Sequence, residues 1–223
     1  MEEKYSMGKE ESLKTGLIFR IIQFARENHA ETIDKAYEYF WDENKPDEFM
    51  GGTALSLGFL NFEDWLIFDY KVKPYNETFI DIYLKNNTLK DDEASLLRSM
   101  KDSVIGLYEV KAVVRDKRTV VKDLLMDGEY TLMDKALTSG LNRGDIFAAR
   151  LLTLDGKTRM SGCVYPYTVD QKKDVLTYMN KQFKRYIKNV KPDGTMRDFL
   201  KDYGELLNII WMNFILNPPK ENE

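Results

Sequence analysis

The chain has 223 residues, 43% hydrophobic and 31% charged, with a net charge of −4. That balance fits a folded globular protein of one or two domains, excludes a disordered chain, and gives no global bias toward nucleic acid or membrane. A single cysteine, Cys163, and a single histidine, His29, exclude an internal disulfide and a cysteine-rich zinc site, and they lead us to expect a reducing, cytoplasmic setting.

The opening stretch MEEKYSMGKEES is acidic and polar, unlike a secretory signal. From Glu10 to about Asn44 apolar residues recur at three- and four-residue steps, as in Leu13, Leu17 and Phe24 and then Ile33, Tyr37 and Phe40, which predicts helix. Pro46 and MGGT (50–53) predict a break. Further helices are expected over 61–70, 77–86 and 91–103, the last entered through a capping box of Thr88 with Asp91.

Near Ile105 the pattern changes. LYEVKAVV, TVVKDLL, EYTLMD, DIFAARLL and TRMSGCVY are short, β-branched or aromatic, and partly alternating. Asp127-Gly128 and Asp155-Gly156 lie between apolar runs, where tight hairpin turns need positive φ. We expect residues 107–164 to form one antiparallel sheet in chain order, as a small five-stranded barrel of SH3-like or OB-like type, because closure leaves the least exposed edge. Helices return over 170–190 and 195–216, separated by Pro192 and Gly194 and stopped by Pro218-Pro219. LLNIIWMNFIL (206–216) is about half a membrane span and is interrupted by Asn208 and Asn213, so it reads as a buried helix. The expected fold is α+β in three regions: helices over 1–104, a small barrel over 105–166, and C-terminal helices over 167–223 packing on the rest.

Candidate chemistry is sparse. Any Ser-His-Asp or Cys-His site would have to use His29, which lies in the polar stretch ARENHAET. No nucleophile elbow, phosphate loop, dinucleotide fingerprint or zinc-protease helix is present, and neither metal nor cofactor is expected. KDDEA (90–94) reads as acids favoured at a helix start, and the RGD at 143–145 as turn chemistry. In NFEDWLIFDY (61–70) helical geometry puts Phe62, Trp65, Leu66 and Asp69 on one face, with Glu63, Asp64 and Ile67 elsewhere. Asp69 then sits on the apolar side, where a carboxylate must end the helix, meet a cation or titrate upward.

Two groups of charges are candidates for a role. If Ile146, Ala148 and Leu152 face inward, strand alternation puts Arg150 on the same face, and a buried guanidinium needs a carboxylate. Asp123 is the expected partner and Asp69 the alternative; the opposite parity would place Arg150 in water. In the 169–191 stretch Val175, Met179, Phe183, Tyr186 and Val190 form an apolar stripe, beside a basic stripe of Lys181, Lys184, Arg185 and Lys188. Those four cations suit an acidic protein or RNA phosphates. They also suit pairing with the N-terminal region, because residues 1–104 carry 13 Lys/Arg against 21 Asp/Glu and residues 105–223 carry 20 against 16.

FEDWLIFDY (62–70), GLYEV (106–110), VKDLL (121–125), GDIFAARLL (144–152) and SGCVYP (161–166), taken in this order, resemble segments of a group of bacterial proteins. On these segments the chain resembles an uncharacterised bacterial family often joined to a SEC-C zinc motif, the short Cys/His metal-binding tail also seen on the SecA translocase. The resemblance covers roughly residues 60–166 and implies a bacterial, cytoplasmic protein with a helical part and a β-barrel part. It implies no established activity and no catalytic residues. One cysteine and one histidine cannot form the SEC-C site, so its zinc is not carried over.

The functional expectation is a non-catalytic protein-binding or adaptor module. An RNA- or ribosome-associated protein using the basic helix is the alternative, and an Asp/Glu-based hydrolase comes third. A protein partner is expected, nucleic acid is possible without being favoured, and no membrane is expected.

Overall fold

A computed structural model describes residues 8–217. Six helices come first: α1 (Lys9–Asn28), α2 (Ala30–Phe40), α3 (Pro46–Phe49), α4 (Gly52–Phe68), α5 (Phe79–Asn86) and α6 (Asp91–Lys101). The sheet region follows with β1 (Ile105–Val114), β2 (Arg118–Asp123), β3 (Glu129–Leu132), the short α7 (Leu137–Gly140), β4 (Ile146–Leu154) and β5 (Lys157–Tyr167). Three helices end the described chain: α8 (Lys172–Asn189), α9 (Met196–Asp202) and α10 (Leu206–Leu216). The fold is α+β, helices with one five-stranded sheet.

The helical period holds, but the boundaries move. The run predicted over 10–44 breaks at His29, whose backbone N–H still reaches the Ala25 carbonyl. The helix predicted over 61–70 begins earlier, at Gly52, because MGGT is the entry to α4 rather than a separate linker. Helix α6 is entered through Lys90, whose N–H donates to the Glu93 carboxylate at 3.0 Å, so the Thr88/Asp91 box is not the one used. The same short motif works elsewhere: Thr78 with Asp81 caps α5, and Thr195 with Asp198 caps α9. The predicted 195–216 helix is two helices, broken at Tyr203 to Glu205, where the chain passes close to Asp69. A Cβ on Gly204 would lie 3.0 Å from the Leu200 carbonyl oxygen and 3.3 Å from Asp69 Oδ2. Pro218-Pro219, expected to stop the last helix, lie outside the described residues, as do residues 1–7 of the polar opening stretch.

The five strands pair in the order β1-β2-β3-β5-β4, and β4 returns to β1, so the ladder closes on itself. This corrects the antiparallel, chain-order expectation: β3 pairs β5 in parallel through Leu132 and Thr158, and β4 lies between β5 and β1. The reason is the connection after β3, which runs through α7 and is pinned by the Asp116 N–H donating to Thr138 Oγ1 at 2.9 Å. Asp155-Gly156 forms the expected two-residue turn, with φ of 50° and 67° and Leu154 facing Lys157. Asp127-Gly128 instead ends a longer loop over 124–128, although both residues keep positive φ, at 57° and 129°.

β4 and the first half of β1 are buried on both sides. Tyr108, Val110, Val121, Leu132, Phe147 and Ala149 fill the inside of the closed sheet. Leu107, Ile146, Ala148, Leu152, Cys163 and Tyr165 face outward into the main core, where helices cover them. Helix α4 is the central cover. Asn61 exchanges two hydrogen bonds with the Val164 backbone, at 2.9 and 2.8 Å, and fixes α4 against β5. On its other side α4 meets Phe40 and Trp41 of the α2 end; a Cβ on Gly58 would lie 2.7 Å from the Trp41 ring, so only glycine allows this approach.

Candidate functional site

Two sets of cations stand out, one buried and one exposed. Arg150 is 0% exposed on the outward face of β4, at a bulge where the β4–β5 register shifts between Ala149 and Leu151. Gly162, with φ of 135°, lies in the opposing stretch of β5. The bulge brings Ser161 and Cys163 beside Arg150, whose backbone N–H points at Cys163 Sγ at 3.3 Å.

The guanidinium donates through Nε to Asp64 at 2.7 Å, through Nη2 to Asp69, and through Nη1 to the Ser103 carbonyl at 2.7 Å. Its carbon lies 4.4 Å from the Phe68 ring centre. Burial alone would lower the Arg150 pKa; Asp64 and Asp69 outweigh it, so the charge is held more firmly than in water. Ser161 Oγ donates to the second oxygen of Asp64.

Lys201 completes the cluster from α9. Its ammonium donates to Asp69 at 3.2 Å and to the carbonyls of Phe68, Lys101 and Ser103 at 2.7, 2.6 and 3.3 Å. Phe68 and Lys101 are the last residues of α4 and α6, so one cation serves two helix C-termini, where carbonyls lack partners and the dipole is negative. Burial lowers the Lys201 pKa, with Asp69 opposing. This cluster ties the sheet to α4, α6 and α9. It is a junction, with every carboxylate committed to a cation.

Asp123 is elsewhere. It is directly paired with Tyr108 across β1–β2, so it points to the inside of the closed sheet, whereas Arg150 is paired with Ile105 and points outward. Its Oδ1 accepts from the N–H groups of Leu125 and Met126, at 2.8 and 2.9 Å, which holds the 124–128 loop. Burial raises its pKa, with the Met126 and Leu125 N–H groups opposing. Asp123 is therefore not the partner of Arg150. Asp64, read from the sequence as solvated, is 8% exposed, because α4 is covered on two sides.

The second set lies on α8. Val175, Met179 and Tyr186 are buried, while Lys181, Lys184, Arg185 and Lys188 are all exposed. Val190, read as part of the apolar stripe, is 56% exposed, since the helix ends at Asn189. None of the four cations forms an ion pair with a carboxylate of the described residues; Arg185 donates only to Gln182, at 3.3 Å. The pairing with the N-terminal half that the charge distribution suggested is not made there. The four lie on one open face of α8 together with Lys172, Lys173 and Leu176. Lys172, at the start of α8, pairs with Glu109 of β1 at 3.2 Å.

The nucleophile candidates are occupied structurally. His29 packs its ring edge-on to Phe79, with centres 5.6 Å apart. Cys163 is fully buried, and burial pushes its thiol pKa up, against the thiolate that nucleophilic chemistry needs. Asp64 borders a cleft of only about 90 Å³, below the roughly 300–1,000 Å³ of ordinary ligand pockets. Among the described residues no three His, Cys, Asp or Glu side chains converge as a metal site. No helix among them is long and apolar enough to cross a membrane.

A closed five-stranded sheet docked on helices through one buried ionic junction, with a separate basic helix face, is the class of molecule defined so far. The chain belongs to a family of unknown function, DUF7986, whose model matches residues 58–203. That span runs from the middle of α4 to the end of α9 and contains both cation sets. No curated protein and no solved structure matches the chain.

Proposed function

We propose that this protein is a non-catalytic binding module that takes an acidic protein partner through the exposed face of α8. The observation that carries this is the set of four neighbouring cations, each exposed and none paired with a carboxylate of the described residues, on a helix whose opposite face is locked into the core. Unpaired like charges repel, so a face that keeps four of them together is poised to gain from an anionic partner. A cytoplasmic, bacterial setting belongs to the same reading and rests on the resemblance of residues 60–166 to the family often joined to a SEC-C motif.

One observation favours RNA as a second reading. We infer that the sheet is of OB type: the order β1-β2-β3-β5-β4 with β3 parallel to β5, and a helix between β3 and β4, supports this over an SH3-like arrangement. OB-type sheets commonly bind oligonucleotides. A hydrolase built on Asp64 and Asp69 has least support, because Arg150 binds both carboxylates.

The test is a titration of the full chain with an Asp/Glu-rich peptide and with single-stranded oligouridine of equal length, each over a salt series. The protein-partner reading expects the peptide to bind with affinity that falls as salt rises, and the Lys181, Lys184, Arg185 and Lys188→Gln variant to lose it. If oligouridine binds with a log–log salt slope near 0.7 per phosphate contact and the peptide does not, the RNA reading replaces it. Salt-independent binding, or none to either probe at low salt, overturns both.

A further inference from the structure

A concavity separate from the basic face of α8 lies between α2, the C-terminal end of α4 and the turn that follows α4. It holds about 530 Å³, within the usual range for small-ligand sites. Its floor is aromatic. The Tyr39 and Trp65 rings stack with centres 6.0 Å apart and planes 19° from parallel, and the Tyr70 ring sits 5.1 Å from Trp65. Tyr39 is 56% exposed, so the ring that extends the Trp65 stack is open to solvent.

The charges in this cleft differ in what they are already doing. Asp69 is taken by Arg150 and Lys201 from behind, and Asp202 by Lys71 and the Tyr186 hydroxyl. Glu205, 5% exposed, accepts from the Tyr39 hydroxyl at 2.9 Å. The three carboxylates therefore have donors within the protein. Lys35 of α2 and Lys73 of the turn after α4 both line the cleft, are exposed and have no carboxylate partner among the described residues. The uncommitted charge is positive, in a cleft that also exposes the Tyr39 ring.

We propose that this cleft binds a small planar ring carrying an anionic group, of the mononucleotide kind, with the ring stacked on the exposed Tyr39 and the phosphate met by Lys35 and Lys73. Aromatic faces recognise nucleobases by stacking without needing one particular base, and paired ammonium groups suit a phosphate as point charges. The buried carboxyl of Glu205, raised in pKa by its burial, also lines the cleft and holds the Tyr39 hydroxyl, which fixes the ring on which the ligand stacks. This site shares none of its lining residues with the basic face of α8, so it stands or falls apart from the binding function proposed above.

The experiment is isothermal titration of the full chain with AMP, GMP, CMP and UMP, with adenosine and inorganic phosphate as the two halves of the ligand, followed in parallel by tryptophan fluorescence. At least one mononucleotide should saturate with a Kd below about 1 mM, and adenosine and phosphate should each bind at least about tenfold more weakly. Lys35→Gln with Lys73→Gln should weaken the mononucleotide by about tenfold or more while leaving the thermal unfolding midpoint unchanged, and Tyr39→Leu should weaken it without affecting phosphate. No saturable binding of any of the four mononucleotides overturns the proposal. So does binding that the lysine pair does not alter, or phosphate binding as tightly as the mononucleotides.

Discussion

Arg150 and Lys181 carry the same charge in opposite settings. Arg150 is fully buried, bound to two carboxylates and a carbonyl, and covered by an aromatic ring. Lys181 and its three neighbours are exposed, with no carboxylate partner among the described residues. Where every donor is matched, a cation fixes the arrangement of helices and sheet, and its loss strands other buried groups. Where donors are unmatched, the fold does not depend on them and they are available to something outside.

The largest effect should come from breaking the junction. Arg150→Met leaves Asp64 and Asp69 buried without their main cation, and urea unfolding should show a loss of about 3–5 kcal/mol. Adding Asp64→Asn and Asp69→Asn to it should recover part of that loss, because the stranded charges are then gone; no recovery would mean that packing, not charge, is what the arginine supplies.

Next is Lys201→Met. It removes the donor shared by the ends of α4 and α6 and should cost about 1–3 kcal/mol, measured in the same way. Hydrogen exchange should rise first at the last turns of those two helices. Gly58→Ala forces a methyl group into the Trp41 ring and should cost about 1–3 kcal/mol, seen as a lowered thermal midpoint.

A smaller effect should come from Glu205. Burial raises its pKa in the folded state, so the folded protein holds this proton more tightly than the unfolded chain does. Stability is then lost as pH rises from the ordinary glutamate value of 4.5 through the raised one. Wild type should lose stability relative to Glu205→Gln over that window in paired urea titrations. A difference that stays flat with pH would show that Glu205 titrates normally.

The sequence discloses the exposed set more readily than the buried one. A helix facing water on one side keeps its period visible, so Val175, Met179 and Tyr186 point inward and Lys181, Lys184, Arg185 and Lys188 outward. Strands give no such guide when both faces are covered: the first five residues of β4 are all buried. Alternation then shows that Arg150 shares a face with Ala148, without telling the inside of a closed sheet from the helix-covered outside. Choosing between Asp123 and Asp69 required knowing that face. Asp64 was obscured for the same reason, because α4 lies between β5 and α2. The strand runs and the Asp155-Gly156 turn were legible because local φ demands fix them. The insertion of β4 between β5 and β1 was not, since it depends on a connection whose course no local pattern encodes. The capping pairs Thr78/Asp81 and Thr195/Asp198 carried a usable signal, a threonine three residues ahead of an acid.

The division between cations that hold the fold and cations that do not is tested most directly by equilibrium urea unfolding of the Lys181, Lys184, Arg185 and Lys188→Gln variant beside wild type. Exposed, unpaired charges contribute little, so the unfolding free energies should agree within about 0.5 kcal/mol. A loss of about 2 kcal/mol or more would place these residues among the stabilising contacts of the protein and contradict the account.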